Sequence, residues 1–226
     1  MKEYPRKREA LRKWFVFLIT FLASALLFLA LALPVTAEKS STIVEEWSSV
    51  KAPPPPELKP VALDPKTTAL LILDIQKQSC NKDRRPRCVL SVPKIQSLLA
   101  RARSKGMSVI YSLTTEGKPE DIIKELAPLG DEPIVKASVD KFYGTELEKI
   151  LKEKKLKTLI VTGTVAHGAV LHTATSAALR GYLVIIPVDG MSAEDAYAEQ
   201  YTAWHMINAP GSRKQATLTS IELINF

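Results

Sequence analysis

The sequence predicts an α/β domain built on a mostly parallel sheet with helices on both faces, a single domain preceded by an N-terminal hydrophobic helix. Two observations carry that expectation. From about Val61 onward, short and almost wholly apolar runs alternate with amphipathic segments of helical period, as buried strands and their crossover helices do. One of those runs, ending Val161-Thr162-Gly163, passes through a glycine turn straight into a helix-like segment. Sheets of this class bind ligands at such junctions, beyond the carboxyl ends of their strands.

The elements follow in chain order. TTALLILD (Thr67 to Asp74) is a short apolar run and reads as a buried strand. Val92 to Gly106 carries Ile95, Leu98, Leu99 and Ala102 at helical spacing and ends on a glycine suited to terminate a helix. Met107 to Thr114 is the next strand, and Pro133 to Lys136 a short one. TELEKILKEK (Thr145 to Lys154) is a charged amphipathic helix. LKTLIVTG (Leu156 to Gly163) and YLVIIPVDG (Tyr182 to Gly190) bracket the helix after the glycine turn. A further helix spans Ala193 to Ala209, and ATLTSIEL (Ala216 to Leu223) closes the domain as a strand.

Three regions are expected: 1–37, 38–60 and 61–226. In the first, Lys2, Arg6, Lys7, Arg8, Arg12 and Lys13 precede an uncharged apolar run from Trp14 to Val35. About 20 such residues cross a bilayer, and the basic flank favours the cytoplasmic side. Val35-Thr36-Ala37 has the small-residue spacing of a signal-peptidase site, so a cleaved signal peptide and a retained membrane anchor both fit. Either one exports the remainder, to the periplasm or the exterior. Residues 38–60 read as a tether, in which Pro53 to Pro56 favour an extended, semi-rigid spacer.

The formal net charge is +7, of which the first 37 residues contribute +4 through six basic and two acidic side chains. The +3 left for the exported part is no electrostatic footprint for nucleic acid, which is excluded as a partner. The two cysteines, Cys80 and Cys88, fall in the polar stretch SCNKDRRPRC. In an oxidising compartment they most simply form a disulfide. His167, His172 and His205 are scattered, with no H-x-x-x-H pair, and no metal site is readable.

Candidates for chemistry lie at the strand ends. Asp74 follows a run of apolar residues, where partial desolvation raises a carboxyl pKa and suits it to proton transfer. Lys136 ends its strand and is read as the cation that holds a nearby carboxylate or an anionic substrate; a lysine snorkelling from a strand end reads the same. Gly163-Thr164-Val165-Ala166 offers backbone amides at a helix start.

With LLILDIQ, IVKASVDKFYGTELEKIL and LIVTGTVAHGAVLHTATSAALRGY in that order, the chain resembles the isochorismatase-like hydrolases over about residues 65–224. The resemblance implies a Rossmann-like fold. Most such enzymes are cysteine hydrolases with an Asp-Lys-Cys triad, and the resemblance assigns the first two roles to Asp74 and Lys136. The cysteine position is Ala169, whose methyl cannot attack a carbonyl, so covalent amide hydrolysis is in doubt. One branch of the family also lacks the cysteine, within a turn reading G-V-Y-A-H-x-G. It hydrolyses vinyl ethers by protonating the enol carbon from the aspartate while water attacks. The turn here shares its glycine, alanine and histidine. The resemblance further implies a cis peptide at Thr164–Val165, substrate or oxyanion contacts from Thr164, Val165, Ala166, His167 and Phe142, and no cofactor.

Two function classes compete on this reading. One is an exported hydrolase that uses Asp74 and Lys136 without a covalent intermediate. The other is a family member without turnover, acting as a small-molecule binding or scaffold protein. A nucleophile such as Cys80 would be a third route. Arg84, Arg85 and Arg87 read first as a solvated loop, and alternatively as a clamp for a carboxylate-bearing ligand. The partners expected are a small-molecule substrate or ligand, a membrane if the N-terminal helix is uncleaved, and a second copy of the chain should it form a homo-oligomer.

Overall fold

A computed structural model describes residues 12–15 and 41–226. The apolar run read as a signal or anchor falls mostly outside the described residues. Among those described, no helix is long and apolar enough to cross a membrane. The chain divides into two compact units, 1–53 and 54–226. In the first, Ile43–Glu46 form a single helical turn, capped by the Thr42 side chain and by Glu45 reaching back to the Thr42 amide.

In the second unit every paired strand of the described sheets is parallel. The strands are β1 (Val61–Ala62), β2 (Thr68–Leu73), β3 (Ser108–Leu113), β4 (Ile134–Lys136), β5 (Thr158–Thr164), β6 (Leu183–Pro187), β7 (Met191–Ser192), β8 (Ala216–Thr219) and β9 (Ile224–Asn225). The main sheet has the order β4-β3-β2-β5-β6-β8, with β7 added beside the end of β5. β1 and β9 pair separately. The helices are α1 (Pro86–Ser104), α2 (Leu147–Glu153), α3 (Leu171–Leu179) and α4 (Ala196–Asn208).

Alternation along the central strands explains why both sheet faces need covering. On β2, Ala69, Leu71 and Leu73 face one hydrophobic core and Leu70 and Ile72 the other; on β5, Leu159 and Val161 oppose Ile160 in the same way. The first core takes Leu147 and Leu151 from α2, Ala174, Ala177 and Ala178 from α3, and Ala203 and Met206 from α4. The second is covered by α1 through Val92, Ile95, Leu98, Leu99 and Ala102. The order of neighbours reverses at β2, between β3 and β5, so the carboxyl ends of these strands form the crevice expected of an open parallel sheet.

Several boundaries differ from the sequence expectation, two of them by four residues or more. α1 begins at Pro86 rather than near Val92, because a proline at the first helical position sacrifices no hydrogen bond. Cys88 therefore lies in the first turn of α1, not in a loop. It is bonded to Cys80 at a Cα separation of 5.3 Å, and both residues are buried in the core beneath α1. The last strand is shorter than the apolar run implied, giving way to a 3-10 turn (Ile221–Leu223) and then β9.

Candidate active site

The end of β2 places Asp74 at the mouth of the crevice. Its backbone has φ 55°, a left-handed conformation that few non-glycine residues adopt and that concentrates at functional sites. Its amide donates to the Ser112 carbonyl, and its own carbonyl accepts from the Gln76 amide and the Ser79 hydroxyl. The loop after β2 thus folds back and locks the residue. The side chain is 7% exposed. Ser112 Oγ donates to Oδ1 at 2.7 Å from the neighbouring strand β3.

The lysine that meets this carboxylate is Lys141, not Lys136. Lys141 Nζ stands 2.8 Å from Asp74 Oδ2 and is wholly buried. Its ammonium also donates to the carbonyls of Ala137 (2.9 Å), Leu113 (3.3 Å) and Ser138. Its amide donates to Thr173 Oγ1 on α3, and its carbonyl accepts from Thr145 Oγ1. Lys136, in register with Leu113 at the end of β4, is exposed. The expectation for Lys136 is therefore corrected: the strand carries it outward, and the loop that follows brings a second lysine back under the strand ends. The polar run Ser138-Val139-Asp140-Lys141 reads as a solvated loop, so burial of its cation was not legible.

Burial dominates the ionisation of the pair. It raises the Asp74 carboxyl above its ordinary range, against Lys141 and then Ser112, which favour the carboxylate. It lowers the Lys141 ammonium, against the pull of Asp74. A carboxyl so placed holds a proton more readily than one in water and can deliver it in the crevice.

The glycine turn closes the other side. Gly163 has φ +133°, and a Cβ there would collide with the Leu73 carbonyl oxygen, so only glycine lets β5 lie this close to β2 at its end. The Thr164–Val165 peptide is cis. Thr164 is buried, and its hydroxyl donates to the Ser192 carbonyl on β7 at 3.2 Å. Ala166 to Val170 then form a π-helical turn, a feature frequent at functional sites, before α3 begins. Val165 is half-buried, Ala166 buried and His167 exposed. Ala169 is buried within this turn. Beside the turn, Ser192 Oγ is a buried side-chain atom with no hydrogen-bond partner among the described residues, hence an unused polar group at the strand ends.

Phe142 is buried in the hydrophobic core that also holds Ala166 and Ala169 of the turn, with the Arg180 guanidinium 4.6 Å from its ring centroid and Tyr182 at 6.2 Å. The histidines are less scattered than their spacing suggests. All three line a groove of about 640 Å³ between α3 and α4, together with Asp195, Tyr197 and Tyr201. Their spread over three elements, the π-helical turn, α3 and α4, hides this in the sequence. Among the described residues, no group of three or more His, Cys, Asp or Glu side chains is arranged to hold a metal ion.

Sequence comparison places the chain in a family. The Isochorismatase domain profile matches residues 68–222. The chain belongs to the isochorismatase family. The uncharacterized isochorismatase family protein YrdC of Bacillus subtilis is 30% identical over 176 residues, covering 70% of this chain and 94% of that protein. The secreted isochorismatase effector Isc1 of Verticillium dahliae is 29% identical over 148 residues, covering 60% and 78%. The crystal structure of an isochorismatase family protein from Desulfovibrio vulgaris superposes with a TM-score of 0.63 at 23% identity, over 69% of this chain and 95% of that one. That likeness establishes the α/β isochorismatase fold. The family profile runs from the first residue of β2 to the 3-10 turn after β8, so it takes in Asp74, Ser112, Lys141 and the cis turn.

Proposed function

We propose that the chain is an exported hydrolase of this family that cleaves a small vinyl ether, or a related small molecule, without a covalent intermediate. Asp74 is the general acid. Its proton passes to the enol carbon, and the resulting oxocarbenium ion is attacked by water. The hemiketal so formed breaks into a carbonyl compound and an alcohol, and a proton from the water restores Asp74. Lys141 holds the carboxyl in place and stabilises the carboxylate left after transfer.

The observation that carries this reading is a buried carboxyl with a raised pKa in a chain that offers no thiol. The sequence has two cysteines, and they are bonded to each other. By the family resemblance the nucleophile's place is held by Ala169, and a mechanism in which water attacks needs none. Export is supported by the disulfide, which suits an oxidising compartment, and by the secreted relative. A second reading, a ligand-binding member without turnover, is favoured by Ala169 itself, since a buried methyl contributes no chemistry. Assaying vinyl ethers and small amides side by side on wild type and Asp74→Asn separates the two. Vinyl-ether turnover lost in Asp74→Asn supports the hydrolase. Tight binding without turnover of any compound supports the binder, and amide turnover surviving in Asp74→Asn overturns the mechanism.

A further inference from the structure

The stretch closed by the Cys80–Cys88 bond brings a guanidinium to the same strand ends. Arg85 is 7% exposed. Its amide donates to the Asn81 carbonyl at 2.8 Å and its carbonyl accepts from the Cys88 amide at 3.0 Å, so the bonded loop fixes its backbone. Nη1 donates to the Ser79 carbonyl at 3.1 Å, and the Ser79 hydroxyl donates to the Asp74 carbonyl. One residue therefore separates Arg85 from Asp74 in the hydrogen-bond network. The Arg85 charge also reaches the Asp74 carboxyl, where it favours the ionised form.

Its partner is unequal to it. Arg85 Nε lies 2.6 Å from Glu194 Oε1, but the arginine side chain is 8% exposed and the glutamate 42%. Nε and Nη2 form a fork that fits both oxygens of one carboxylate. Arg87 fills that fork with Glu199, and Arg103 fills it with Glu132. Arg85 does not. Glu194 engages Nε alone, Nη2 has no protein partner among the described residues, and the side chain keeps 8% of its surface in contact with solvent.

We propose that Arg85 recognises a carboxylate on the substrate, and that Glu194 is its resting counter-ion, displaced when an anionic small molecule binds beside Asp74. A buried guanidinium requires an anion at all times, since an unpaired buried charge is strongly destabilising. Exchange of one carboxylate for another keeps that balance. Glu194, half in solvent, leaves at little cost, and a rigid ligand carboxylate takes both nitrogens where Glu194 takes one. The disulfide thereby becomes part of substrate recognition, because it holds the backbone from which Arg85 extends. The substrate class is a small organic acid. This deepens the proposed function by naming the substrate's charge, and it rests on the same strand-end site without depending on turnover.

The test uses 2-ethoxyacrylate and its methyl ester as reacting probes, and benzoate and benzamide as inert ones, with wild type, Arg85→Gln, Arg85→Lys and Glu194→Gln. Wild type should prefer the acid to the ester in kcat/KM by about 10-fold or more, the value of a charge-assisted pair. Arg85→Gln should collapse that ratio by about 10-fold, with partial recovery in Arg85→Lys, which restores charge but not the fork. Glu194→Gln should tighten benzoate binding several-fold by calorimetry, since the resting competitor is gone, whereas a merely structural ion pair would weaken it. Equal losses on acid and ester in Arg85→Gln, or benzoate bound no better than benzamide by wild type, overturn the proposal. If nothing is hydrolysed, the benzoate arm still decides: Arg85-dependent benzoate binding without turnover upholds the recognition and sinks the hydrolase. Glu194→Gln leaves Arg85 without its resting anion, so its unfolding midpoint should fall and benzoate should restore it, and that arm stands even if Arg85→Gln fails to fold.

Discussion

Asp74 and Lys141 form a 2.8 Å ion pair in which the lysine presents no surface to solvent and the aspartate almost none. Removing one partner leaves the other buried without its counter-charge, a loss of about 3–5 kcal/mol in such settings. Lys141→Ala should therefore lower the midpoint of urea unfolding sharply, as well as the rate. Lys136→Ala, at an exposed strand end, should change stability by no more than about 0.5 kcal/mol and leave the rate intact. Equal effects of the two substitutions would return the role to Lys136.

Asp74→Asn keeps the shape of the side chain and removes the transferable proton. It should lower kcat by about 100-fold or more while leaving ligand affinity within a few-fold. Steady-state kinetics beside calorimetric binding of an inert analogue measures the two quantities separately.

The pH dependence has a defined sign. A general acid works while protonated, so kcat/KM should fall as pH rises through the raised pKa of Asp74. Ser112 donates to the carboxylate and holds that pKa down, so Ser112→Ala should move the alkaline limb to higher pH. The stabilising effect of Asp74 on the fold is complete below the ordinary value of 3.8 and is lost as pH climbs through the raised folded value. Lys141, whose pKa is lowered, contributes fully above its ordinary 10.5 and loses that contribution as pH falls through its folded value. Titration of Asp74 by carbon-13 NMR, in wild type and Ser112→Ala, checks the order of the two pKa values.

Native protein should show no free thiol, and its intact mass should rise by two hydrogen atoms on reduction. Alkylating reagents applied without a reductant should leave turnover unchanged. Breaking the bond should cost roughly 2–3 kcal/mol, the value for a short closed loop.

Gly163→Ala tests the junction between β2 and β5. The added methyl meets the Leu73 carbonyl, and φ +133° is strained for any side chain, so a loss of about 3 kcal/mol is expected in thermal unfolding. Gly106→Ala meets no atom and should cost about 1 kcal/mol through its positive φ alone.

The strands were legible because burial on both faces makes them short and apolar, and Asp74 was legible as the polar residue that ends such a run. The glycine turn declared itself by the abrupt change of period after Gly163. Lys141 was hidden because a buried cation in a polar loop carries no local signature; only Asp74, brought from another strand, makes it affordable. Ser112 was hidden for a related reason. A serine inside an apolar strand looks like tolerated polarity until the neighbouring strand supplies its acceptor. β7 is two residues long, too short for any periodicity, and the histidine groove depends on how α3 packs beside α4.

The pairing of β1 with β9 has a mechanical consequence. Lys59 donates to the Leu218 carbonyl, Val61 lies in register with Ile224, and Leu63 donates to the Asn225 carbonyl, so the chain's entry into the domain is fastened to its exit. A pull on residues 41–60 reaches this clasp, which includes Leu218 on the edge strand β8, before it reaches the central strands β2 and β5. The clasp can open while Asp74, Lys141 and the glycine turn keep their neighbours, because none of them takes a hydrogen bond from β1 or β9. Load on the leader would thus be absorbed at the far edge of the domain, and the crevice would stay in working shape.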